Sequence, residues 1–96
     1  MPRKPKKSKY KHLVLNKKKY YFYTIRWVDI TGDAGHANAE EFLNFKPSVM
    51  ITNAYIFHKN KHNVWTFSSY DEKDEVFSDR NVFPRAVILK MEKVTQ

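Results

Sequence analysis

"YYFYTIRWVD", residues 20–29, is the stretch on which the reading of this chain turns. Aromatic and β-branched side chains fill it with period two. Tyr21, Tyr23, Ile25 and Trp27 fall on one face of an extended strand, and Phe22, Thr24, Arg26 and Val28 fall on the other. Because successive side chains point to opposite faces, only part of this strip can meet a partner. Ile25 and Trp27 are assigned to the core. Tyr20, Phe22 and Arg26 are the candidates for exposure, with Arg26 able to pair with a phosphate or a carboxylate.

Downstream, "ITGDAGHA" interrupts the strand with both glycines of the chain. Asn38 then reads as a helix N-cap with Glu41 three residues on, Ala37 and Phe42 as a staple, and Glu40 and Glu41 in the first turn, where the helix dipole favours negative charge. Pro47 closes this segment, which predicts a helix of about two turns. "SVMITNAYIFHK" (48–59) alternates again. With "VWTFSSY" (64–70) across the short "NKHN" connection it predicts an antiparallel hairpin. Residues 71–80, net −3 by count, read as an acidic surface loop anchored by Val76 and Phe77. A short strand, a proline that interrupts the ladder, and a final strand follow in "NVFPRAVILKMEKV".

Upstream, "MPRKPKKSKYKHLVLNKKK" (1–19) holds nine of the 18 Lys and Arg residues and no acid. Residues 20–96 carry the other nine against ten acids, a net of −1, so the excess of the +8 chain lies in its first fifth. Like charges, two prolines and few apolar side chains predict a disordered basic arm. "HLVL" (12–15) is its one stretch able to add as an edge strand. The expected organisation is an arm over 1–19 and a single β domain over 20–96, since 96 residues support one modest core.

Cysteine is absent, which excludes disulfides, thiolate nucleophiles and cysteine-ligated zinc. No stretch is long enough for a signal-peptide apolar region or a membrane span, so no membrane role is expected and a cytoplasmic setting is the default. About five antiparallel strands and one short helix close most economically into a small barrel, which removes exposed edges.

The closing segment "NVFPRAVILKMEKV" resembles the end of Src-homology-3-like and Sm-like barrels, in which a proline-bearing turn joins the fourth strand to the fifth. The order "IRWVD", "HANAEEF", "KPSVMITNAYIF", "VWTFSSY", "NVFPRAVILKMEKV" is similar, over residues 25–94, to a class of small phage-encoded proteins. That resemblance implies the barrel and a bacterial host, but no settled activity.

The strongest chemical signal is the basic arm. Clustered lysines neutralise phosphates and release counterions, which binds nucleic acid without reading its sequence. Lys4, Lys6, Lys7, Lys9, Lys11, Lys17, Lys18, Lys19 and Arg26 are the candidate phosphate contacts, with Tyr20 and Phe22 as candidate base-stacking residues. DNA or RNA is the expected partner. A host protein is the alternative, because a body of net −1 with an acidic loop is not what a dedicated nucleic-acid barrel presents. No cofactor, metal or catalytic activity is expected. His58 and His62 flank a turn without a third ligand, and Asp29, Asp33, His36, Glu40 and Glu41 are explained by turns and capping.

Overall fold

A computed structural model describes residues 9–73 and 75–96. It is mainly β and antiparallel, with one short helix. The strands are β1 (His12–Leu15), β2 (Lys18–Asp29), β3 (Ser48–Lys59), β4 (Asn63–Phe67), β5 (Ser69–Asp71), β6 (Val76–Ser78), β7 (Asn81–Pro84) and β8 (Ile88–Lys93). The helix α1 (Ala39–Leu43) lies between β2 and β3, and a 3-10 turn (Arg85–Val87) joins β7 to β8.

The strip read first is the centre of the main sheet. Along β2, Tyr23 to Asp29 pair with β3 on one edge, with Tyr23 opposite Ala54 and Trp27 opposite Met50. The other edge is shared: Lys18 to Tyr21 pair with β1, and Tyr23 to Trp27 pair with β8, with a bulge at Arg26/Trp27. Phe22 is the crossover point. Its N–H donates to the Lys11 carbonyl at 2.9 Å, and its carbonyl accepts from the Val94 N–H at 3.0 Å. Residues 9–11 run on beside 94–96 through Lys11 N–H to Val94 (2.7 Å) and Gln96 N–H to Lys9 (2.8 Å).

Alternation then sorts the side chains. Tyr23, Ile25 and Phe83 form the buried cluster on one face, ringed by Trp27, Ile56, Ile88 and Met91. Ile25 is fully buried, as assigned from the pattern; a side chain of that size contributes about 1.5–3 kcal/mol on leaving water. The Trp27 indole N–H donates to Thr52 Oγ1 at 2.9 Å, which satisfies its one polar atom inside the sheet.

Three expectations are corrected. The sheet is not closed into a barrel: β7 and β8, which would have to meet, do not pair, since Pro84 ends β7 without a donor and the 3-10 turn carries the chain across to β2. The basic arm is not disordered over residues 9–19. Asn16 and Lys17 take φ of 48° and 65°, the two positive values of a tight hairpin loop, and so fold β1 back along the otherwise bare edge of β2. The expected boundary after residue 19 therefore falls inside β2. Residues 71–80 are more than a loop, because β5 and β6 pair there, with Phe77 as the anchor; Val76 is 55% exposed and anchors nothing.

The Asn38 cap is present, accepting from the Glu41 N–H at 2.8 Å, but the helix has only five residues rather than two turns. No helix among the described residues is long and apolar enough to cross a membrane.

Candidate functional site

The end of β2 nearest the N-terminus gathers lysines and aromatic rings. Lys11 Nζ stands 4.1 Å from the Phe22 ring centroid, and Lys93 Nζ stands 4.3 Å from Tyr21 and 5.1 Å from Tyr10. Lys9 lies 5.1 Å from Tyr10, Lys19 5.8 Å from Tyr21, and Lys59 5.6 Å from Tyr23. By strand alternation Lys18, 5.5 Å from Tyr20 and 5.6 Å from Phe57, shares the Phe22 face, while Tyr21 and Tyr23 with their lysines lie on the other. All six lysines are exposed.

The backbone explains this clustering. β1 and β8 both dock on β2 around Phe22 and β3 runs along its other edge, so four separate segments deliver their cations to one short stretch of strand. An aromatic face attracts a cation without cancelling its charge, by about 0.5–1 kcal/mol at an exposed site. Among the described residues none of these lysines forms an ion pair with a carboxylate, and no acid occurs before Asp29. The one described ion pair, Lys90 to Glu92 at 2.7 Å, lies farther along β8. The surface therefore holds its positive charge in place and leaves it open to an anion.

The candidate residues separate into groups. Lys9, Lys11, Lys18 and Lys19 belong to the cluster, Lys17 occupies the β1–β2 turn, and Arg26 is exposed farther along β2. Lys4, Lys6 and Lys7 lie outside the described residues. Phe22 is half-buried, its ring 4.9 Å from Tyr55. Tyr20 is a correction: it is 6% exposed and cannot offer its ring to a base. Phe57 stacks on it at 6.0 Å, while Phe67 and Phe77 meet it edge-on at 5.4 and 5.8 Å. Phe67, wholly buried, is the hub of this second aromatic cluster. The partial burial of Tyr55 beside it, with Tyr70 nearby, pushes the Tyr55 hydroxyl above its ordinary value.

Lys59 and Lys93 complete the cluster although the charge run of the arm does not include them. Only the strand register, which sets Lys93 opposite Tyr23 and Lys59 opposite Val64, could have pointed to them.

Elsewhere, a groove of about 790 Å³ runs between β4 and the β6–β7 strands, walled by Phe57, Trp65, Phe77 and Val82, with Asp79 and Arg80 at its side. His58 packs on Trp65 with ring centroids 5.2 Å apart, and the His62 N–H donates to Asn60 Oδ1 at 2.9 Å. Asp33 Oδ1 accepts from the Gly35 N–H at 2.7 Å. No group of three or more His, Asp or Glu side chains stands together among the described residues.

Fold and site together define a mainly β, antiparallel protein bearing a surface of lysines held on aromatic rings. Comparison with protein-family models, with curated proteins and with solved structures returned no match.

Proposed function

We propose that the protein binds nucleic acid without sequence preference through the lysine and aromatic surface at the start of β2. The carrying observation is that Lys9, Lys11, Lys18, Lys19, Lys59 and Lys93 rest on rings while making no described ion pair. Fixed cations release condensed counterions when they neutralise phosphates, and half-exposed Tyr10 and Tyr21 on one face of β2, with Phe22 on the other, supply π surface for unpaired bases. The strand path, with β8 returning to β2 after a proline and a 3-10 turn, also supports an open roll of the Src-homology-3-like or Sm-like kind. A phage origin goes with that resemblance.

The test is fluorescence anisotropy of labelled single-stranded DNA, RNA and duplex DNA across about 50 to 300 mM salt. Micromolar binding is expected, with a log–log slope of about −4.5 on duplex for five phosphate contacts. Absence of salt-dependent binding to all three probes rejects the proposal. Capture of a stoichiometric host protein that survives high salt would support the alternative ligand instead.

A further inference from the structure

We infer that the protein forms a two-fold dimer by antiparallel pairing of the first half of β3 with the same segment of a second copy. Phe22 directs both its N–H and its carbonyl to Lys11 and Val94, away from β3. In an antiparallel ladder these directions alternate, so the β2–β3 bonds fall at Tyr23, Ile25 and Trp27, opposite Ala54, Thr52 and Met50. The N–H and carbonyl groups of Val49, Ile51 and Asn53 therefore point to the opposite edge. β4 covers that edge only from Tyr55 onward, because the chain after Phe67 leaves the main sheet to pair as β5 with β6. Among the described residues nothing pairs with Val49, Ile51 or Asn53 on that side.

Such an edge is a template for another strand, and several features select a second copy as the occupant. The segment Ser48–Ala54 carries no charge, so two copies of a +8 chain meet here without opposing like charges. An antiparallel seam centred on Ile51 is self-complementary: Ile51 faces Ile51, and Val49 faces Asn53 in both directions. Three outward residues per copy, each giving one donor and one acceptor, close the seam with two bonds at each of three paired positions.

The edge is also open and apolar. Every residue from 30 to 51 is exposed, and these include Ile30, Phe42, Leu43, Val49, Met50 and Ile51. Val49 and Ile51, both at outward-pointing positions, are 49% and 56% exposed in the single chain. α1, which ends shortly before β3 in the chain, has no buried residue, although Phe42 and Leu43 in it are apolar.

Sedimentation equilibrium of the full chain, free of nucleic acid, tests the inference. The expected mass is 23 kDa, twice the 11.5 kDa of one chain, at concentrations up to about 100 μM. Ile51→Pro removes the outward N–H while leaving the β2 ladder untouched, and Ile51→Lys places a charge at the centre of the seam. Both variants are expected at 11.5 kDa with wild-type circular dichroism. A wild-type protein that stays monomeric, or an Ile51→Lys variant that stays dimeric, overturns it.

Discussion

Lys11 holds Phe22 twice: its carbonyl accepts the Phe22 N–H at 2.9 Å, and its ammonium lies 4.1 Å from the centre of the Phe22 ring. The backbone bond fixes the register that brings the charge over the ring, so the same pairing serves the fold and the surface. Phe22→Leu keeps apolar bulk but removes the π face. A decrease of about 1–2.5 kcal/mol in urea unfolding is expected, from the cation–π interaction and the edge-on contact with Tyr55 together. The same variant is expected to bind single-stranded DNA several-fold more weakly with an unchanged salt slope, because it alters stacking and not the number of charges.

The charges themselves are tested by changing their number. Replacing Lys11, Lys18, Lys19 and Lys93 with Gln is expected to flatten the duplex salt slope by about 3.6, at about 0.9 for each phosphate no longer neutralised. Lys61, Lys73 and Lys90 stand outside the ring-held cluster. Their triple Gln variant lowers net charge by nearly as much and is expected to leave the slope close to wild type. Equal effects in the two variants would mean that overall charge, rather than this surface, attracts the nucleic acid.

The aromatic hub carries a stability prediction. Phe67 is fully buried and meets Tyr20, Tyr55, Phe57, Tyr70 and Phe77, from four separate strands. Phe67→Ala is expected to cost about 3–5 kcal/mol, measured by the midpoint of chemical denaturation. For a chain of this length that is a large part of the total, about 0.05–0.15 kcal/mol per residue.

The sequence displayed some of this and concealed the rest for identifiable reasons. Residues 20–29 were legible because a half-buried strand writes its two faces in alternate letters, and Ile25 and Trp27 lie on the side that the letters indicate. Asn38 was legible because a cap is a local device, complete within four residues. Tyr20 was not, since the rings that bury it come from positions 57, 67 and 77. The order of residues 9–19 was hidden by composition: the lysines argue for a solvated coil, and the turn at Asn16 and Lys17 lacks the glycine that usually marks such a hairpin. Lys59 and Lys93 join the site only through strand pairing, which no local pattern encodes.

That missing glycine can be supplied. Lys17 adopts φ of 65° at the second loop position, where an L side chain is strained and glycine is not. Lys17→Gly is expected to stabilise the protein by about 0.5–1 kcal/mol, raising the melting temperature by about 4–8 °C per kcal/mol. A lower melting temperature would show that the hairpin does not limit stability.

Two N-terminal deletions separate charge from structure. Removing residues 1–8 discards Arg3, Lys4, Lys6 and Lys7 but retains β1 and its ladder to β2. Removing residues 1–19 also strips β1 and the first two residues of β2, which leaves Tyr20, Tyr21 and the Phe22 N–H without their strand partners and exposes the surface that half-buried Leu13 and Leu15 cover. Were the arm a detachable tether, both proteins would melt together. With β1 integral to the sheet, the longer deletion is expected to cost about 2–4 kcal/mol more than the shorter, a difference of roughly 10–25 °C in melting temperature. Circular dichroism melts of the two proteins decide between these outcomes. Any loss of nucleic-acid binding by the longer deletion is attributable to missing charge only where its fold persists at the assay temperature, whereas the shorter deletion reports on charge directly.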